Sequence, residues 1–289
     1  MSDVLLLGGN SKLGLAIRKN VKFSGNYAVR NPDSNKNCIY RSSYREIKAR
    51  DFSGYRYVVN LIGTNQGDPA TLKAVNVDLV HHLATEARTA GVENFVNISS
   101  FSVFGATQQV ELSSQPSPAS DYGRSKLEAE LMLQQMSENN FNVTNVRLPM
   151  LYGTSGSKLH MLLNIWSEIR YLPVPDLHAK RSMLHYDLAA DALLGLGHHL
   201  GYRDIAFADP EPFQFERVAK TMSGCAGYRV SPVVVGKHLL APLSWVKPDI
   251  YQSLYSSSYL TTSANGIEGT GLKSRLYQDI HDMACALHA

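Results

Sequence analysis

Cysteine is scarce in this chain: Cys38, Cys225 and Cys285 are the only three among 289 residues. They are scattered, with neither the spacing of a disulfide framework nor that of a metal site, which points to a reducing compartment and to buried, inert thiols. Long hydrophobic runs are also missing. Val4-Leu5-Leu6-Leu7 is too short for the core of a secretion signal, and no stretch approaches the about 18 apolar residues that cross a bilayer. Charge of one sign is lacking as well. A formal net charge of +3 gives no support for nucleic acid or a membrane surface as partner, while suiting an anionic small molecule. The paired histidines, His81-His82 and His198-His199, are adjacent rather than one helical turn apart, so they read as surface residues and no metal is expected. Repeats, heptads and low-complexity tails are absent. These gaps leave a cytoplasmic-type globular protein, one large domain or one domain with a smaller appendage.

What is present is an ordinary core-forming composition, 44% hydrophobic and 18% charged, arranged as alternating strands and helices. Val4 to Leu7 has the pattern of a strand buried on both faces. It enters Gly8-Gly9-Asn10-Ser11-Lys12-Leu13-Gly14 and then a helical segment from Leu15. That order opens a dinucleotide-binding βαβ unit: glycines let the backbone approach a pyrophosphate, and the helix start supplies N–H groups and a positive dipole end. A tight turn without ligand gives the same pattern, so the glycines alone do not decide.

The second strand, Asn26 to Arg30, ends without an acid that would hold the ribose 2′-hydroxyl of NAD. Arg30 stands there instead and suits the 2′-phosphate of NADP, the alternative being a solvated loop charge. Cys38 to Tyr40 reads as a short third strand, and Tyr44 to Arg50 as helical. Tyr57 to Gly63 is a buried strand ending in Leu61, Ile62 and Gly63, followed by a helix from Leu72 to Ala90. Asn94 to Ile98 then delivers Ser99-Ser100-Phe101-Ser102 to the same carboxyl edge, where open α/β sheets bind ligands. After a Ser/Pro/Gln-rich loop from Ala106 to Ser120, a helix running to about Glu138 begins with Tyr122 and Lys126 on one face. A lysine cation beside a phenol lowers the tyrosine pKa, which equips it as a general acid or base on an alcohol/ketone pair. Val143 to Arg147 is the next strand. The alternation predicts an α/β fold with a parallel sheet covered on both faces. Beyond Gly153 the pattern loosens. Helices are expected at Lys158 to Arg170, Asp187 to about His199 and Pro212 to Gly224, with a late strand at Ile205 to Ala208.

With these pieces in order, the chain resembles the extended short-chain dehydrogenase/reductase family, the NAD-dependent epimerase/dehydratase group acting on nucleotide sugars, over nearly its whole length. Gly8, Ser11 and Gly14 match its Gly-x-x-Gly-x-x-Gly, with Ser11 replacing the middle glycine. Ser100 ahead of Phe104-Gly105, Tyr122-x-x-x-Lys126, Arg147-x-Pro149-x-x-Tyr152-Gly153 and Arg181-Ser182-Met183-Leu184-His185 match the remaining motifs.

The resemblance implies a Rossmann-type doubly wound parallel sheet with a smaller, mostly helical C-terminal subdomain. Residues 1–153 and about 182–209 would bind dinucleotide, and 154–181 and about 210–289 the nucleotide sugar. It implies Ser100, Tyr122 and Lys126 as catalytic residues. Contacts to NADP or NAD would come from Gly8, Ser11, Lys12, Leu13, Gly14, Arg30, Leu61, Ile62, Gly63, Ile98, Tyr122, Lys126 and Pro149. Ser100, Ser102, Met150, Lys158, His160 and Arg181 would bind substrate, Arg181 because its planar fork matches a diphosphate. Dehydratases of the group place an acidic pair after the catalytic threonine; Phe101 and Ser102 stand there and cannot protonate a leaving hydroxyl. What remains is 4-epimerisation or reduction of a 4-keto group on a UDP-hexose; Arg30 in place of an acid favours the reductase, with a 4-epimerase holding NAD tightly as the alternative. A dinucleotide-binding sensor or structural subunit is a further alternative, since Asn60-Leu61-Ile62-Gly63 departs from the His-Leu-Ala-Ala usual in epimerases. The resemblance also implies a possible homodimer formed by pairing helices.

Overall fold

The structure is a computed structural model that describes residues 3–31, 37–111, 113–153, 155–168, 170–174, 176–196, 201–236, 239, 241–242, 245, 257–261 and 273–288. The chain divides into two compact units, 1–105 with 112–148 and 187–207, and 106–111 with 149–186 and 208–289.

In the first unit, β1 (Val4–Leu7) leads through the glycine turn to α1 (Lys12–Lys19), followed by β2 (Asn26–Val29), β3 (Cys38–Tyr40) and β4 (Tyr57–Asn60). Next come α2 (Pro69–Lys73), a π turn (Ala74–Asp78), α3 (Leu79–Thr89) and β5 (Asn94–Ser100), which ends in a 3-10 turn (Phe101–Phe104). The expected single helix from Leu72 to Ala90 is thus broken by a π turn. β6 (Gln109–Val110) lies in the second unit, and α4 (Asp121–Met136) and β7 (Asn142–Leu148) complete this stretch. The second unit resumes with β8 (Met150–Tyr152), α5 (Lys158–Ser167), β9 (Tyr171–Val174), β10 (Lys180–Arg181) and β11 (Met183–His185). Then follow α6 (Tyr186–Leu194), β12 (Tyr202–Ala206), β13 (Phe213–Gln214), α7 (Phe215–Ala226), β14 (Ser231–Val234), β15 (Tyr259–Leu260) and α8 (Leu276–His288). Helix α5 stops at Ser167 rather than Arg170, and the late strand falls at Tyr202–Ala206, two to three residues early. α7 starts at Phe215 rather than Pro212 because Phe213 and Gln214 pair with β10. His198 and His199, at the end of the expected sixth helix, lie outside the described residues, as does Pro175.

Seven parallel strands form one sheet in the order β12-β7-β5-β4-β1-β2-β3. This is the Rossmann-type doubly wound arrangement. Its order reverses between β1 and β4, and a crevice opens outside the carboxyl ends of the strands at such a reversal. Leu5, Leu6, Leu7 and Val58 are fully buried, as strands covered on both faces require. One row of the sheet is polar. Asn60, Asn97, Asn145 and Asp204 are register partners on β4, β5, β7 and β12. Their side chains bond in series: Asn60 Nδ2 to Asn97 Oδ1 at 3.0 Å, Asn97 Nδ2 to Asn145 Oδ1 at 3.1 Å, and Asn145 Nδ2 to Asp204 Oδ1 at 3.1 Å. Buried amides are tolerated only when paired, and this row pairs them.

The second unit has its own core, with Tyr152, Leu163, Trp166, Phe215, Met222 and Ile280 among the buried side chains of β8, α5, α7 and α8. Asp209 holds the start of α8 by accepting from Arg275 N and Leu276 N at 3.1 and 3.2 Å. The thiol expectation is overturned here. Cys225 of α7 and Cys285 of α8 form a disulfide, their Cα atoms 4.8 Å apart across 60 residues of sequence. Both are half-buried rather than buried, as is Cys38. Sequence spacing hid the pair because only the packing of the two helices brings it together. No helix among the described residues is long and apolar enough to cross a membrane.

Candidate active site

At the switch point, the glycine turn is built for close backbone packing. Gly8 has φ +86°, the left-handed region that favours glycine. A Cβ on Gly14 would stand 2.7 Å from Gly8 O and 2.8 Å from Gly9 O, and one on Gly9 would meet the Tyr27 side chain at 2.8 Å. Ser11, in the place of the family's middle glycine, is the N-cap of α1 and accepts from Gly14 N at 3.0 Å. Leu13 is buried beneath the turn, and Lys12 is exposed beside it. Leu61, Ile62 and Gly63 follow β4 on the other side of the switch point, Leu61 N bonding to Leu7 O at 3.0 Å. Arg30 is exposed at the end of β2, its guanidinium 5.5 Å from the Tyr44 ring centroid.

β5 carries Ile98 and Ser100 to the same carboxyl edge, and α4 presents Tyr122 and Lys126 there. The N-cap Ser120 accepts from Gly123 N at 3.0 Å. Gly123 lets the helix seat on the 3-10 turn, since a Cβ there would lie 2.3 Å from Ser102 O. Ser100 Oγ is within hydrogen-bond reach of the Tyr122 phenol. It accepts from Ser102 N at 3.1 Å and contacts Ser102 Oγ at 3.2 Å. Lys126 is only 4% exposed and its Nζ donates to Ile98 O at 2.7 Å.

The electrostatics differ from the expectation drawn from the Tyr/Lys spacing. Burial pushes the Tyr122 phenol up, and the hydrogen bond with Ser100 only partly opposes this. The expected lowering by Lys126 does not operate. The ammonium donates to the Ile98 carbonyl and is itself pushed down to about 8 by burial, against the pull of Glu130. The phenol is therefore protonated at neutral pH.

Arg147, from the Arg-x-Pro segment, turns into the first unit instead. Its guanidinium forks onto Glu130 at 3.1 and 2.7 Å and reaches Asp204 at 2.7 Å. In the second unit, half-buried Pro149 precedes Met150, whose strand β8 pairs with β11 in the register Met150 to Met183. Lys158 opens α5 behind its N-cap Ser157, which accepts from His160 N at 3.1 Å. Arg181 sits on β10 opposite Phe213, and burial pushes its guanidinium down to about 10.

The sequence pattern of the NAD dependent epimerase/dehydratase family matches residues 4–201, more than half of the chain. The chain belongs to that family, within the extended short-chain dehydrogenases/reductases. A curated relative, Uncharacterized protein y4nG of Sinorhizobium fredii (strain NBRC 101917 / NGR234), is 31% identical over 135 residues, 45% of this chain and 34% of its own. The match thus spans about a third of that relative's length. Among solved structures, UDP-N-acetylglucosamine 4-epimerase from Bacillus cereus superposes with a TM-score of 0.76 at 17% identity, covering 100% of both chains. Human epimerase family protein SDR39U1 (isoform2) with NADPH gives 0.75 at 15% identity, covering 99% of this chain and 98% of its own. At these identities the likeness is one of fold.

The structure also brings family-site neighbours into view that the motifs did not single out. Asn76, fully buried on the π turn, accepts from Thr64 N at 2.9 Å and donates to Thr64 O at 2.8 Å and to Ser125 Oγ at 2.9 Å. A Cβ on Gly63 would meet Lys126 Nζ at 3.1 Å and Asn76 Oδ1 at 3.2 Å, so Gly63, Asn76 and Lys126 form one close-packed group. A lone asparagine inside Val75-Asn76-Val77 was the available signal. Arg18 lies 3.6 Å over the Tyr27 ring and donates to Asn10 Oδ1 and Tyr27 Oη at 2.7 Å each, bracing the glycine turn. Nothing in its helical sequence context marked it.

Proposed function

We propose that this protein is an NADPH-dependent reductase acting on the 4-keto group of a UDP-linked hexose or deoxyhexose. The observations that carry the reading are exposed Arg30 where an acid would hold NAD, and the Ser100–Tyr122 pair at the carboxyl edge, whose phenol is protonated at neutral pH like any tyrosine. A protonated phenol is a donor, matched to a carbonyl oxygen that becomes a hydroxyl. Ser100 donates to the same oxygen and stabilises charge as it develops there. Lys126 holds its place through Ile98 and supplies a positive charge at this edge below about pH 8. Phe101 and Ser102 offer no second acid, so the site is not equipped to expel water.

The glycine turn fits a dinucleotide: Gly9 and Gly14 leave no room for side chains, Gly8 holds a positive φ, and the start of α1 supports a pyrophosphate. A nicotinamide dinucleotide supplies the hydride equivalent when bound. Gly8, Ser11, Lys12, Leu13 and Gly14 would hold its pyrophosphate, with Leu61, Ile62, Gly63, Ile98 and Pro149 along its length. Arg30, exposed where NAD-dependent relatives need an acid, would take the 2′-phosphate. The second unit would supply the nucleotide-sugar contacts through Met150, Lys158, His160 and Arg181, an anion offsetting the desolvation of the Arg181 guanidinium. Acting on such a substrate, the protein would work in the cytoplasm.

Dinucleotide content and preference test this reading. Protein denatured after purification should release no stoichiometric NAD, and the native chain should bind NADPH well and NADH poorly. Arg30→Glu should invert that preference. Stoichiometric NAD retained through purification would instead identify a 4-epimerase.

A further inference from the structure

Cys225 stands in the last turn of α7, and Cys285 lies one helical turn after His281 on α8. The sulfurs, joined as a disulfide, are accompanied by the imidazole: His281 Nε2 is 3.6 Å from Cys285 Sγ, and the ligand atoms of all three residues lie within 4.8 Å of one another. His281 Nδ1 is 3.2 Å from Asp282 Oδ1. A carboxylate only accepts, so the ring proton sits on Nδ1 and the Nε2 lone pair faces the sulfurs. A carboxylate behind an imidazole whose other nitrogen is turned to thiols is how metal-binding histidines are oriented. Two thiolates and one imidazole form a zinc donor set, with a fourth tetrahedral position left for water.

We propose that in the reduced chain Cys225, His281 and Cys285 bind a thiolate-preferring divalent cation, Zn2+ foremost. Disulfide and metal are then alternative states of one clasp between α7 and α8. Two equivalents of a thiol reduce the disulfide, each cysteine sulfur gaining a proton and the two reductant thiols leaving as their own disulfide. The cation then displaces both cysteine protons as the thiolates coordinate, with His281 Nε2 as neutral third ligand. The site is independent of the reductase reading.

The test uses full-length protein reduced with a phosphine, freed of reductant without air, and titrated with Co2+ while sulfur-to-metal charge-transfer absorption is followed. One Co2+ per chain with a thiolate band, displaced by one equivalent of Zn2+, is expected. The oxidised protein and Cys285→Ser should show no band, and Cys38→Ser should bind like wild type. Asp282 is exposed, so Asp282→Asn should keep the circular dichroism of the fold while weakening Zn2+ about 10- to 100-fold. That variant keeps the proposal testable should a cysteine substitution disturb folding. A reduced protein with no thiolate band, a band that survives Cys285→Ser, or unchanged affinity in Asp282→Asn would overturn it.

Discussion

Replacing Lys126 by methionine should stabilise the protein while abolishing turnover, and the stabilisation should carry a pH signature. Lys126 is 4% exposed, and its pKa falls from 10.5 to about 8 on folding. A depression of that size corresponds to about 3 kcal/mol of stability forgone at neutral pH. Methionine fills similar space without a charge but forfeits the bond to Ile98 O, worth about 1–2 kcal/mol. The net gain is about 1–2 kcal/mol at pH 7, a rise of roughly 2–4 °C in the unfolding midpoint.

The sign of the pH effect follows from proton counts. Between about pH 8 and 10.5 the unfolded chain keeps the Lys126 proton and the folded chain has lost it. The Lys126 contribution to wild-type stability therefore rises with pH across that window, and Lys126→Met lacks this rise. The buried tyrosines, Tyr122 among them, cost stability as pH rises through their ordinary value of about 10, but they are common to both proteins and cancel in the difference. Thermal unfolding of both proteins from pH 7 to 10 should show the variant ahead at pH 7 and the gap closing by pH 10. A variant less stable at pH 7, or a gap independent of pH, would refute the assignment of the depression to burial.

Tyr122→Phe should keep the fold and the dinucleotide while lowering kcat by about 10²- to 10⁴-fold, measured by steady-state kinetics beside circular dichroism. Glu130→Ala should lose about 3 kcal/mol in urea unfolding, because Arg147 keeps only Asp204 and its buried charge is under-compensated. Reducing the Cys225–Cys285 disulfide in the presence of a chelator should lower stability by up to about 4 kcal/mol, the loop-closure value for its 60-residue separation, read as a fall in the thermal midpoint.

Much of the first unit was legible because its signals are local. β1 is a short apolar run, β4, β5 and β7 carry valine- and phenylalanine-rich stretches, and the glycine turn, Ser100 and Tyr122-x-x-x-Lys126 lie next to strand or helix ends readable from sequence. What escaped depends on neighbours far along the chain. The two-residue strand Gln109–Val110 exists only because Tyr259–Leu260 pairs with it. Cys225 and Cys285 are joined by helix packing. The Asn60–Asn97–Asn145–Asp204 row depends on strand register. The Tyr122 phenol was assigned the wrong direction for a related reason. Spacing places a lysine on the same helix face, whereas burial and the Ile98 carbonyl decide the protonation state.

Isotope transfer tests the central claim most directly. The protein would be incubated with NADPH deuterated at the transferring C4 position and a UDP-4-keto-6-deoxyhexose, and the product examined by NMR. The account predicts one NADPH consumed per sugar, with deuterium at C4 of the hexose and both lost in Tyr122→Phe. Equilibration of a UDP-hexose with its 4-epimer, without NADPH consumption or label in the sugar, would contradict it.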